Sequence, residues 1–179
     1  MEHFIRVYDN HLSPEICEEA IERFEAAKDK FPGLILRADG NLAVEPSKKR
    51  TMEFIIENDP SWQRVENHLQ QHYVACVNEY AQEFPHLGGV VGNLFSEPFR
   101  IKKYQPGDFF DWHIDCGGKN FSRVIAIQFY FNTVQDGGET EFQFQDLNVE
   151  SVQGRVVIFP TIWTYYHRGS PVRSNPKYI

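Results

Sequence analysis

The chain has 179 residues, 41% hydrophobic and 15% aromatic, with 15 Phe and 8 Tyr, which is enough apolar side chain to fill a core and excludes a disordered chain. At this length one domain, residues 1–179, is expected. A formal net charge of -7 argues against duplex nucleic acid as the main partner, because phosphate binding needs a basic footprint.

Residues 3–8 alternate as a short strand. Ser13-Pro14-Glu15 then supplies an N-cap, a first-turn proline and a first-turn acid, and Ile16, Ala20, Phe24 and Ala27 follow at helical spacing until Pro32-Gly33. Residues 38–49 read as a polar loop, and the basic run Lys48-Lys49-Arg50 is expected to be a solvated turn before a strand. Arg50 to Glu57 reads as a strand with Met52, Phe54 and Ile56 on one face. Asp59-Pro60 starts a longer helix whose stripe is Trp62, Val65, Leu69, Tyr73, Cys76, Val77, Tyr80 and Phe84, stopped by Pro85 and Gly88-Gly89.

Beyond that point no long helical period recurs. Short β-rich runs alternate with turns: Phe99 to Tyr104, Phe109 to Asp115, Val124 to Asn132, Thr140 to Phe144, Arg155 to Phe159, Trp163 to His167 and a last one at Lys177. Gly137-Gly138 reads as a hairpin turn. The pattern gives a mostly β protein with helices (α+β): a β sandwich over 89–179 with a helical support region over 1–88 packed outside.

Cys17, Cys76 and Cys116 are odd in number and contain no Cys-x-x-Cys pair, which fits a reducing compartment. The N-terminal residues carry charge where a signal peptide needs an apolar run, and no segment approaches the length of a membrane span. A soluble cytoplasmic protein without a membrane partner is the expectation.

Chemistry concentrates late in the chain. On a strand, side chains at i and i+2 share a face, so His113 and Asp115 converge while Trp112 and Ile114 point away. Two imidazoles and one carboxylate on one side of a metal, the other side open, suit non-haem Fe(II), and His167 supplies the second imidazole only if the fold brings it over. A His-x-Asp pair is expected by chance about once in three chains of this composition, so it needs its context. Asp111 shares the His113 face, and position alone does not choose between Asp111 and Asp115. His68 and His72, four apart on the second helix, lack the Glu of a His-Glu-x-x-His site and read as a solvated flank.

The context is Arg100-Ile-Lys-Lys-Tyr104-Gln-Pro-Gly107-Asp-Phe-Phe110-Asp-Trp-His113-Ile-Asp115, then Gly137-Gly138-Glu139-Thr140-Glu141-Phe142, then Gly154-Arg-Val-Val-Ile-Phe159-Pro160, and last His167-Arg-Gly-Ser-Pro171-Val172 with Lys177 ten positions after the histidine. In order and spacing these blocks resemble the prolyl 4-hydroxylase branch of the Fe(II)/2-oxoglutarate-dependent dioxygenases, over about residues 95 to 179. The resemblance implies a double-stranded β-helix (jelly-roll, cupin-like) core with iron held by His113, Asp115 and His167. It implies Lys177 against the distal carboxylate of 2-oxoglutarate, and Tyr104 and Tyr130 lining the co-substrate pocket. Arg173 is the fallback counter-ion. Phe110 departs from the family, which often has a tyrosine there, and the family usually continues the strand that carries the lysine.

The implied activity is hydroxylation of an organic substrate, most often a prolyl or other residue of a peptide or protein. Fe(II), O2 and 2-oxoglutarate, with ascorbate as a further reductant, are the implied cofactors, and succinate and CO2 the co-products. The alternatives are a non-catalytic jelly-roll metal-binding or interaction module, and an oxygenase acting on free amino acids or nucleobases; nucleic acid is disfavoured by the acidic balance. Neither the substrate nor the oligomeric state is written in the sequence.

Overall fold

The computed structural model describes residues 3–37, 39–57, 59–87, 89 and 94–179. In chain order run β1 (Arg6–Tyr8), α1 (Pro14–Ala26), β2 (Phe31–Pro32), β3 (Ile35–Leu36), β4 (Leu42–Ala43), β5 (Met52–Ile55), α2 (Gln63–Glu83), β6 (Arg100–Tyr104), β7 (Phe110–His113), β8 (Ile125–Phe129), β9 (Thr140–Phe142), β10 (Leu147–Val149), β11 (Val156–Pro160), β12 (His167–Gly169) and β13 (Lys177–Tyr178). One sheet has the order β10-β9-β12-β7, and two others the orders β1-β11-β8 and β13-β6-β5-β2. The pair β3-β4 is a separate hairpin.

The sheets pack face to face, as the jelly-roll expectation requires. Tyr104, Tyr130, Val157 and Phe159 share one core with Phe142 and Val149 from the β10-β9-β12-β7 sheet. Strand β11 shows why its sequence is a continuous apolar run rather than an alternating one. Val157 and Phe159 face the inter-sheet core, whereas Val156 joins the helix-facing cluster and Ile158 packs with Tyr80 and Phe84. A strand buried on both faces has no polar side to display.

The helices cover the outer side. Ser13 caps α1, its Oγ accepting from Ile16 N, and Asp59 accepts from Ser61 N at a 3-10 turn leading into α2. Ala20, Phe24, Trp62, Val65 and Leu69 then close over Ile101, Phe129 and Val156. Burial of this apolar layer is the main source of stability for both helices.

Several expectations needed revision. The first helix ends at Ala26, and Phe31–Pro32 pairs with β5. The supposed polar loop contains β4, and Trp163–Tyr165 is a 3-10 turn rather than strand. Strand β10 was not anticipated. Pieces of two or three residues are too short to show a period, so only tertiary pairing reveals them. The N-terminal half is also more than a helical support, because β1 pairs with β11 and β5 with β6. Gly88, read as part of a helix stop, lies outside the described residues.

Candidate active site

Strand β7 pairs antiparallel with β12, and the ladder sets His167 directly opposite His113. Asp115 lies two residues beyond His113, just past the end of β7. His113 Nε2 is 3.8 Å from Asp115 Oδ1, and His167 Nε2 is 3.6 Å from Asp115 Oδ2. Donor atoms of the three residues all fall within 4.8 Å of one another. An ion bonded at about 2.0 to 2.2 Å to each donor spans such gaps.

The backbone decides the tautomers. His113 Nδ1 is 2.8 Å from the Asp111 carbonyl, and His167 Nδ1 is 2.9 Å from the Tyr165 carbonyl. A carbonyl only accepts, so each Nδ1 carries the proton and each Nε2 presents its lone pair toward Asp115. Burial lowers both imidazoles, His113 to about 3, so they stay neutral at physiological pH. Burial opposes the Asp115 charge, yet the neighbouring His167, His113 and Lys102 hold its carboxyl below the ordinary range. Two neutral imidazoles and one carboxylate form the donor set that Fe(II) takes in a facial triad.

Packing holds the rings in place. Phe110 stacks on His113 with centroids 3.6 Å apart and planes at 15°. Phe142 and Phe159 flank His167 at 5.6 and 4.8 Å. Asp111, the rival ligand, turns outward: its Oδ2 accepts from Lys48 Nζ at 2.8 Å, and its backbone N–H donates to the Lys48 carbonyl. The sequence left Asp111 and Asp115 open; the structure brings Asp115 to the histidines.

The triad opens into a cleft of about 1970 Å³ that also contains Tyr104, Thr140 and Lys177. Lys177 is only 1% exposed, although it stands near the end of the chain. Strand β13 pairs Lys177 with Tyr104, and its ammonium lies 5.3 Å from the Tyr104 ring centroid and 5.4 Å from that of Tyr130. The ammonium donates to the Gly138 carbonyl, 2.7 Å away. Gly137 and Gly138 both have positive φ, and a Cβ on Gly137 would lie 2.3 Å from the Pro171 carbonyl oxygen, so this turn needs glycine there. Burial, with Lys102 nearby, pushes the Lys177 ammonium down to about 7.

The other two co-substrate positions fare differently. Tyr130 is fully buried behind the cleft wall, donates its hydroxyl to Thr140 Oγ1 at 2.8 Å and faces the cleft through Thr140 and Lys177. Arg173 is not in the cleft. It is exposed and pairs with Asp136 at 2.8 Å, because its position after the Gly137–Val172 bridge places it on the outside of the turn. The fallback role drawn for Arg173 is therefore corrected. His68 Nδ1 contacts the Arg64 carbonyl within its own helix, and His72 meets His11 instead, so the two do not form a site.

Sequence reading missed a charged group at the cleft floor, where Lys49, Arg100 and Lys102 line the cleft above the buried Glu53. Glu53 is 0% exposed and is held by Lys49 at 2.6 Å, Thr51 at 2.8 Å and Arg100 at 3.1 Å. Lys102 is the cross-strand partner of Glu53. The signal was the polar alternation Arg100, Lys102, Tyr104 on β6 opposite Glu53, hidden because attention went to the apolar face of Met52, Phe54 and Ile56.

Residues 99–179 match the family model described as the 2OG-Fe(II) oxygenase superfamily. Over this segment the chain is similar to members of that superfamily. Similar solved structures extend the likeness over nearly the whole chain. A viral collagen prolyl hydroxylase from Paramecium bursaria Chlorella virus-1, in its 2OG complex, aligns with TM-score 0.70 at 17% identity, covering 98% of this chain and 92% of that one. A prolyl-4-hydroxylase from Pseudomonas putida aligns with TM-score 0.69 at 16% identity, covering 98% and 89%. A Trichoplax adhaerens prolyl hydroxylase, solved with a hypoxia inducible factor oxygen degradation domain peptide fragment, aligns with TM-score 0.74 at 15% identity, covering 98% and 80%. At such identities the likeness concerns the fold. No curated protein sequence matches the chain.

Proposed function

We propose that the protein is an Fe(II)- and 2-oxoglutarate-dependent dioxygenase that hydroxylates an organic substrate, with a prolyl or other residue of a peptide or protein as the leading candidate. The observation that carries this reading is the placement of the His113-Asp115-His167 donor set and the buried Lys177 ammonium in one cleft. His113, Asp115 and His167 would hold the iron on one side and leave the cleft side open. When bound, the iron would supply oxidative decarboxylation of 2-oxoglutarate to succinate and CO2, coupled to hydroxylation.

The chain's own residues supply position and environment. Lys177, buried among aromatic rings, offers the charge that a distal carboxylate needs, and its ammonium gains an anionic partner that no described residue supplies. Tyr104 forms the wall beside it, and Thr140, braced by Tyr130 and by Gln128 Nε2 at 3.0 Å, forms another. The prolyl hydroxylase likeness of the fold supports the choice of a peptide substrate. Ascorbate would serve as reductant after uncoupled turnover. A cytoplasmic setting fits three cysteines that all carry free thiols. No described helix is long and apolar enough to cross a membrane.

The decisive experiment measures succinate formed from 2-oxoglutarate with and without Fe(II), followed by mass spectrometry of candidate peptides for the gain of one oxygen. Iron-dependent succinate supports an oxygenase. Metal binding without any succinate, across all candidate substrates, would leave a non-catalytic binding module.

A further inference from the structure

The charges that border the cleft are mostly matched. Arg123 pairs with Glu97, Lys48 with Asp111 and Arg37 with Glu45. Lys177 is answered by 2-oxoglutarate under the function proposed above, on which the present inference rests. An iron dication with Asp115, a 2-oxoglutarate dianion and the Lys177 ammonium are together neutral.

The floor of the cleft is not balanced. Glu53 is one carboxylate serving Lys49, Arg100 and the adjacent Lys102. Its Oε1 is taken by Lys49 and Thr51, and its Oε2 by Arg100. The Lys102 ammonium therefore makes no hydrogen bond or ion pair of its own among the described residues, although Lys102 lines the cleft. Its position on β6 is set by two ladders, to Glu53 on one side and to the chain end on the other, where Lys102 and Ile179 exchange backbone hydrogen bonds. Lys102 lines the same cleft as His113, Asp115, His167 and Lys177. A half-buried ammonium without a counter-ion, next to two further cations, is costly unless a ligand completes it.

We infer that Lys102, supported by the Lys49–Glu53–Arg100 group, is a specificity-determining residue that receives a carboxylate carried by the substrate close to the carbon that is hydroxylated. The occupant is an acid: either the α-carboxylate of a free amino acid or the side chain of an acidic residue beside the target in a peptide. Both present the same chemistry to Lys102. An uncharged peptide leaves the surplus charge unanswered.

The test uses the full chain with Fe(II) and 2-oxoglutarate and compares matched acids and amides. The pairs are L-proline with L-prolinamide, and a blocked proline-containing hexapeptide with Glu or with Gln beside the proline. Stimulated succinate formation is read in each case, and equilibrium binding is read by calorimetry without oxygen. The acid of at least one pair is expected to bind and stimulate about ten-fold or more better than its amide, the magnitude of one charge-assisted contact. Which pair responds identifies the source of the carboxylate. The acid-to-amide ratio should collapse toward one in Lys102→Ala and survive in Lys102→Arg, with melting curves checking the fold.

Equal responses to acid and amide in the wild-type protein overturn the inference. So does an unchanged ratio in Lys102→Ala, or a loss confined to the 2-oxoglutarate requirement, which assigns Lys102 to the co-substrate. Calorimetry separates this failure from that of the oxygenase reading. Acid-selective binding lost in Lys102→Ala, with no succinate formed, upholds the anion site and sinks the proposed activity. Turnover without acid preference does the reverse, and absence of both turnover and binding overturns both.

Discussion

His113 and His167 are register partners across the β7–β12 ladder, their ring centroids 4.2 Å apart, and each donates Nδ1–H to a carbonyl two residues earlier in its own chain segment. Ring orientation therefore depends on backbone geometry rather than on a mobile second carboxylate. His167→Ala should abolish iron-dependent succinate formation and weaken Co(II) binding at least ten-fold, while far-UV circular dichroism stays that of the folded protein. Retained turnover in that variant would remove His167 from the site.

The two aspartates separate cleanly. Asp115→Asn replaces a donor that faces both histidines, so Co(II) binding and succinate formation should fall together. Asp111→Asn weakens the half-exposed pair with Lys48 at the cleft border and keeps an oxygen for the Trp112 N–H, and its activity should stay close to wild type. Parallel losses in the two variants would contradict the assignment.

Lys177→Ala should raise the 2-oxoglutarate concentration needed for half-maximal rate by about ten-fold or more, the scale of one charge-assisted hydrogen bond. Lys177→Arg should recover part of it, since charge remains but shape differs. Arg173→Ala, on the exposed turn with Asp136, should leave the requirement unaltered. A co-substrate dependence that follows Arg173 instead would sink the assignment of Lys177.

Burial takes the Lys177 ammonium to about 7 in the fold from its usual 10.5. Between those values the unfolded chain holds a proton that the folded one has released, so stability rises with pH across that window and this gain is absent below about pH 7. Melting temperature should climb from pH 7 toward pH 10, and Lys177→Met should flatten part of the climb. Lys49, lowered to about 8 by burial and by Lys102, supplies a remainder. Since 2-oxoglutarate favours the charged ammonium, its binding above pH 7 should take up a proton, visible as different calorimetric heats in buffers of different ionisation enthalpy. Identical slopes in wild type and Lys177→Met would place the titration elsewhere.

Gly33 lies against the charged floor. A Cβ there would come 2.0 Å from Thr51 Oγ1 and 2.8 Å from both Glu53 Oε1 and Lys49 Cε. Those side chains are locked in a buried ion pair and have little room to yield. Gly33→Ala should cost about 1 to 3 kcal/mol in denaturant unfolding, the usual range for overpacking. An unshifted midpoint would show that the floor is looser than its distances indicate.

Sequence legibility followed the length of each signal. The long helix stripe from Trp62 to Phe84 and the capped start at Ser13 were readable because several turns repeat one period. His113, Asp115, His167 and Lys177 were readable through their spacing and the blocks around them, and Asp115 rather than Asp111 followed from the family resemblance. The floor group was not readable, since Glu53 with Lys49, Arg100 and Lys102 becomes a unit only when β5 pairs with β6. The same limit misled the reading of Arg173, whose six-residue offset from His167 says nothing about which side of the turn it occupies.

The pairing of β1 with β11 and of β5 with β6 bears on where this protein can be cut. The family-matching segment, residues 99–179, contains β6 and β11 but none of the strands that cover their flanks from the N-terminal half. Excised, it would present two bare strand edges and the uncovered side of Ile101, Phe129 and Val156, features that invite intermolecular pairing. Even His167 is tied to the other half: Tyr165, whose carbonyl orients His167, accepts from Phe4 N through its hydroxyl, and Tyr80 Oη donates to the Phe4 carbonyl. The matched segment and the unit of folding have different borders here, and a fragment drawn along the first is expected to aggregate.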